Sequence, residues 1–199
     1  MLNPRSSTLL FLLLGVSLLL GCSAQVTGIA SKKDGVLEGD RRIFVTSAQY
    51  TGNLGGRSGA DSICATHAQA GGLERTYRAL IGLGYEGALG NPNQRITGSG
   101  AVYVVCGLNV TKVVSTIAYL WSGSLLAPVG CDEFGRSITA DVWSGSTASG
   151  DVGVSCLDWI TSNGPSEGLY GQTSRTDDFW FNRGVKTCNA LCSLYCISD

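Results

Sequence analysis

The sequence predicts an α+β domain with a high loop fraction, exported from the cytoplasm and held by disulfides. Three observations carry that prediction. Residues 52–81 contain a glycine-dense turn, one amphipathic helix and a β-forming run, and no other convincing helix precedes residue 110. The second half breaks into short strand-like pieces separated by glycine, serine and aspartate. Of the 8 cysteines, all but one follow an apolar leader and its processing site, and in an oxidising compartment such a set reads as a disulfide framework.

The leader occupies residues 1–21. Arg5 supplies a positive start, and residues 9–20 form an apolar run broken only by Gly15 and Ser17. A bilayer span needs roughly 20 apolar residues, so this run suits a signal peptide and not an anchor. It ends in Leu19-Leu20-Gly21-Cys22, which resembles the bacterial lipobox; Cys22 is then the lipidated N-terminus. Ser23, and not aspartate, follows it, so the expected destination is the outer membrane, with the domain held there by lipid.

Cleavage removes one charge, Arg5, leaving 13 basic against 15 acidic residues. So weak a balance lacks the basic stripe that marks a nucleic-acid partner. No cysteine pair has CxxC spacing and His67 is the only histidine, so neither a zinc site nor a cofactor is expected.

Residues 22–42 are small, polar and without apolar period, and read as a flexible tether in which Lys32, Lys33, Arg41 and Arg42 are solvated. The domain then spans 43–199, opening with the β-rich Ile43-Phe44-Val45-Thr46. Ser58 and Asp61 form an acidic variant of the capping box, which predicts a helix starting at Gly59. Ala60, Ile63, Cys64, His67 and Ala68 share its inward face, and Gly71-Gly72 stop it. His67 is expected to be a partly buried side chain bonded to neighbouring backbone. Residues 76–81 and 101–106 read as strands, and residues 82–100 as a glycine-rich surface loop. Leu120-Trp121-Ser122-Gly123-Ser124 is echoed by Val142-Trp143-Ser144-Gly145-Ser146 without a third copy. Each reads as a buried tryptophan ending a strand before a turn; the alternative is an aromatic sugar platform.

GGRSGADSIC (55–64) followed by AGGLERTYRAL (70–80) resembles the opening of the endostatin domain of vertebrate collagens. Cys156-Leu157-Asp158-Trp159 and the closing Cys188 and Leu194-Tyr195-Cys196 follow in order. Closer is the resemblance to the endostatin-like lipoproteins of bacteria, known best from spirochaetes. Their members typically begin IFVTS-x-x-Y-x-GNLGG-x-x-GAD-x-x-C and end LYC, as residues 43–64 and 194–196 do here. The likeness covers about residues 43–199.

That resemblance implies a C-type-lectin-like, endostatin-like fold closed by its terminal strands and two nested disulfides, Cys64–Cys196 and Cys156–Cys188. Cys106 and Cys131 look like an additional pair, although either could instead join Cys192. Zinc is not implied, because the N-terminal histidines of vertebrate endostatin are missing. Nor is calcium-dependent sugar binding: Asn91-Pro92-Asn93 lacks its accompanying strand, and Asp177-Asp178-Phe179-Trp180 is an imperfect echo. Arg57, Arg75 and Arg78 are the contact candidates should they converge.

The expectation is a monomeric, non-enzymatic binding module on the cell surface. Its partners would be host extracellular-matrix proteins, plasminogen or complement regulators, met through residues 82–100 and 162–183. The alternative is a structural envelope lipoprotein facing the periplasm without a host ligand. No arrangement of residues in the sequence points to catalysis.

Overall fold

The computed structural model describes residues 32–199; the signal peptide and Cys22 lie outside the described residues. A two-stranded hairpin, β1 (Lys32–Lys33) and β2 (Val36–Leu37), leads into β3 (Arg41–Val45). The single long helix α1 spans Gly56–Ala70 and is followed by β4 (Tyr77–Ala79) and the one-turn α2 (Pro92–Arg95). The remaining strands are β5 (Val102–Cys106), β6 (Asn109–Val114), β7 (Asp141–Trp143), β8 (Glu167–Gln172), β9 (Gly184–Thr187) and β10 (Ser193–Ser198). Together they make a mixed α+β domain with few helices, an 8-stranded sheet and three disulfides.

The sheet runs β6-β5-β3-β10-β7-β8-β9, with β4 also paired to β10. Every residue of β10 is buried, because the strand is flanked on both edges and covered on both faces. It pairs antiparallel with β3 (Cys196 opposite Phe44) and with β4 (Cys196 opposite Ala79), and parallel with β7 (Leu194 opposite Trp143). Strand alternation then sorts its side chains into two cores. Tyr195 and Ile197 join Ile43, Val45, Val102, Trp180 and Phe181 on one face. Leu194 and Cys196 join Phe44, Cys64, Tyr77 and Trp159 on the face covered by α1. Burying a side chain of the Leu or Ile class contributes about 1.5–3 kcal/mol, so this closing strand holds both cores at once.

The same alternation aims Cys196 at α1, where the 3.6-residue period places Cys64 on the inner face between buried Ala60 and Ala68. The two cysteines form a disulfide with Cα atoms 5.5 Å apart. Cys156–Cys188 and Cys106–Cys131 are also bonded, and Cys192 is left as a buried thiol, which resolves the open alternatives. Gly52 lets the chain cross the second bridge: a Cβ there would lie 2.3 Å from Cys156 Sγ.

Three expectations need correction. The tether does not reach residue 42. Val36 is buried, and the Asp34 carboxylate accepts hydrogen bonds from Glu74 N (2.7 Å), Arg75 N (3.0 Å) and Tyr77 Oη (3.0 Å), which staples residues 32–42 to the domain. Arg42 is buried as well, and its guanidinium donates to Glu133 O at 3.3 Å. The helix starts at Gly56, three residues early, after a left-handed Gly55 and with no side-chain cap. Asp61 is spent elsewhere, accepting from Ala79 N at 2.9 Å and pairing with Arg95, so it ties α1 to β4 and α2. Residues 82–100 are not only surface: Leu83 and Ile96 sit in the two cores.

Candidate functional site

The tryptophan echoes separate in the structure. Trp143 is fully buried at the end of β7, as expected, and its Nε1 donates to Tyr50 O at 2.9 Å. Trp121 instead ends a 3-10 turn, Ile117–Ser122, and is only half-buried. Its ring packs edge-on to Phe181, with centroids 5.8 Å apart, and against Gly150. A Cβ on Gly150 would lie 2.8 Å from Trp121 Cε3 and 2.6 Å from Asn93 Cβ, so this position accepts only glycine.

The remaining surface of Trp121 lines a cleft of about 310 Å³ between three loops. The turn after Trp121 contributes Ser122 and Gly123, the turn beyond β7 contributes Thr147, Ala148 and Ser149, and the segment before β9 contributes Asp178 and Asn182. Most polar groups around it are committed. Ser122 Oγ donates to Tyr119 O (2.8 Å), and Thr147, Ser149 and Asp151 bond one another. Asn91 and Asn93 brace the second turn from below: Asn91 Oδ1 accepts from Val152 N (2.8 Å) and Asn93 Nδ2 donates to Ser149 O (2.9 Å). Asp177 is held by Arg175. By contrast, no hydrogen bond or ion pair among the described residues takes up the side chains of Asp178 and Asn182. Both residues line the cleft, and Asp178 Oδ1 rests against Gly123, where no Cβ would fit.

The larger cleft, about 360 Å³, lies over Cys106–Cys131 and has no charged side chain in its lining. Neither cleft contains the three arginines proposed from the sequence. Arg57 sits at the N-terminal end of α1, paired with Glu86. Arg75 follows the other end, about 20 Å away at 1.5 Å per helical residue, and is spent on the carbonyls of Asp40 and Leu37. Arg78 pairs with Asp199. Arg57 therefore stands apart, whereas Arg75 lines a cleft of about 320 Å³ with Lys33, Glu38 and Asp199, the residue that pairs with Arg78.

His67 occupies the inward face as expected, but its partners are side chains and not backbone. Nδ1 lies 2.7 Å from Glu133 Oε1 and Nε2 lies 2.8 Å from Tyr50 Oη. In the neutral ring Nδ1–H donates to the carboxylate, and Nε2 accepts from the tyrosine. Glu133 also accepts from Ser47 Oγ (2.5 Å) and Ser47 N (3.0 Å). Burial would raise its pKa, yet the bonds from His67 and Ser47 outweigh burial and bring it down to about 2. Burial and the charge on Glu133 push the Tyr50 hydroxyl upward. Both nitrogens of His67 are thus used within a closed chain that pins α1 to the turn at Glu133. Its geometry is that of a brace.

Cys156–Trp159 is a turn of left-handed helix, with φ of 50, 53, 56 and 65° at four non-glycine residues. L-residues resist this conformation by roughly 1–2 kcal/mol each. The surroundings overdetermine it: the Cys156–Cys188 bridge, Trp159 Nε1 donating to Gly82 O (2.8 Å), and Asp158 accepting from Gly84 N (2.5 Å) and Ser155 Oγ (3.0 Å). Leu157 and Ile160 are left exposed, at 66% and 64%. No Gly or Asn marks this turn in the sequence.

No protein-family model matches the chain, and a search of curated proteins finds no relative.

Proposed function

We propose that this chain is a lipoprotein of the outer membrane, anchored through Cys22, whose C-type-lectin-like domain is a non-enzymatic binding module of the endostatin-like kind. The observation that carries the reading is the contrast between scaffold and loops. Terminal strands and three bridges fix the core, and the Cys64–Cys196 crosslink, closing a separation of 132 residues, contributes roughly 4–5 kcal/mol on the chain-entropy scale. Above that core, three loops from distant parts of the sequence converge on a cleft whose Asp178 and Asn182 are uncommitted. Binding residues held on loops by a rigid framework are a common division of labour. The pairing of the terminal strands and the two nested disulfides agree with the endostatin-like resemblance.

The partners proposed are host matrix or serum proteins such as laminin, fibronectin, plasminogen or complement factor H, met at the cell surface by a monomer. The test is binding of the purified full chain in detergent to each immobilised protein. Saturable binding at micromolar concentration supports the reading, and its absence for all of them defeats it. Protease treatment of intact cells checks the location: digestion only after lysis would favour a structural, periplasm-facing role.

A further inference from the structure

Resting on the lipid anchor at Cys22, we propose that the tip of the β5–β6 hairpin, with Phe134 beside it, docks on the bilayer that holds the anchor. The turn between the strands is Gly107-Leu108, and Leu108 is fully exposed, more so than any other large apolar side chain among the described residues. The tip is held in place from below. Cys106 at its base is bonded to Cys131, and Gly107 N donates to Gly135 O at 2.9 Å, which seats the Phe134-Gly135 turn against it. Gly135 fits there only without a side chain, since a Cβ would come 2.8 Å from Gly107 N. Phe134 is half-exposed, and Val110 and Leu37 extend the apolar surface along the hairpin, in a groove they share with Tyr103.

The occupant follows from where the chain comes off the membrane. Residues 23–31 separate Cys22 from β1, and even fully extended they span only about 30 Å. The β1–β2 hairpin that they enter lies on β5: a Cβ on Gly35, in its turn, would be 3.4 Å from Val105 Cγ2. Lys33 and Leu108 are each within three residues of that contact, so the start of the domain and the exposed tip are roughly 20 Å apart at most. Basic side chains flank the apolar ones. Lys112 Nζ lies 5.6 Å over the Tyr103 ring, the Arg136 guanidinium 4.5 Å over the Phe134 ring, and Lys33 is exposed. Long cations beside aromatic rings suit the headgroup level, with stems on apolar surface and heads in water. Arg136 is paired with Asp132, and Glu38 follows Leu37, so the net charge here is small. Insertion of Leu108 and Phe134 therefore carries the docking, at the depth of about 5–10 Å that interfacial segments reach.

The test uses the mature lipidated chain in vesicles of phosphatidylethanolamine and phosphatidylglycerol, with and without lipid brominated near the head of its acyl chains. Bromine quenches tryptophan emission at contact range, and Trp143, Trp159 and Trp180 are fully buried. Leu108→Trp should add emission that shifts to the blue in vesicles and is quenched by the brominated lipid. Ile160→Trp is the control. Its site is exposed and lies beside Gly56, at the opposite end of α1 from the contacts of Asp34, so brominated lipid should leave its emission unchanged. Phe134→Ser added to Leu108→Trp should reverse most of the blue shift and the quenching while leaving the circular dichroism spectrum unchanged. No quenching at position 108, equal quenching at 108 and 160, or quenching untouched by Phe134→Ser would each overturn the proposal. A blue shift that brominated lipid does not quench, together with cross-linked dimers, would make the tip a contact between copies and overturn it as well. Mass spectrometry of the same sample separates the two readings. A chain without lipid at Cys22 loses the anchor and the docking together, whereas a lipidated chain with an unquenched tip loses the docking alone.

Discussion

Removing the charge of Glu133 should cost more than any surface substitution and should do so only above acidic pH. The side chain is 1% exposed, and its pKa lies near 2, against an ordinary 4.5 in the unfolded chain. A carboxylate whose pKa is depressed by folding stabilises the native state fully above the unfolded value. It loses that contribution as pH falls through the folded one. The difference corresponds to about 3 kcal/mol, present above pH 4.5 and gone near pH 2. Glu133→Gln keeps the shape but not the charge, so it should lose about 2–3 kcal/mol at pH 7 and converge on the wild type near pH 2. The assay is urea unfolding of both proteins with disulfides intact, at steps from pH 7 to pH 2. A gap below about 0.5 kcal/mol at pH 7, or one that stays constant with pH, would refute the brace formed by His67, Ser47 and Glu133.

Asp34→Ala removes the acceptor of three hydrogen bonds and should destabilise the domain by about 2 kcal/mol in urea unfolding; no effect would return residues 32–42 to the status of a tether. The Cys192 thiol is pushed up to about 12 by burial, so it should stay silent to a thiol reagent at pH 8 until the chain is unfolded. Rapid labelling in the native state, or peptide mapping that finds Cys192 in a bridge, would contradict its buried, unpaired placement. Leu157 sits at φ 53° with its side chain exposed. Leu157→Gly should therefore raise stability by up to about 1 kcal/mol, the relief of the left-handed backbone less the entropy glycine adds to the unfolded chain. A loss of more than about 1 kcal/mol would show that Leu157 packs in the native protein.

The scaffold was largely legible because local periodicities carry it. The inward face of α1 follows from the spacing of Ala60, Cys64, His67 and Ala68, and its stop at Gly71-Gly72 from glycine alone. Alternation within Leu194-Tyr195-Cys196-Ile197 divides the two cores. What stayed hidden depends on long-range geometry. Nothing near His67 announces Glu133, 66 residues away. Nothing near Trp121 announces Asp178, which rests against Gly123 and lines the same cleft. Ser58 and Asp61 have the look of a cap, but the strand partner Ala79 competes for Asp61 and wins. The polar stretch before residue 43 reads as a tether because its anchoring acceptor, Asp34, works on the amides of Glu74 and Arg75, which composition does not display. Of the arginines flanking the opening motif, only Arg57 is set apart by the length of the helix; Arg75 and Arg78 both come to Asp199.

In the proposed module the cleft loops do the recognising and the bridged core only holds them. The test is laminin binding by the purified full chain beside Asp178→Ala/Asn182→Ala, two positions whose side chains make no hydrogen bond or ion pair among the described residues. Saturable micromolar binding by the wild type is expected, with a loss of about tenfold or more in the double variant at unchanged thermal stability. Equal binding by the two proteins would contradict it.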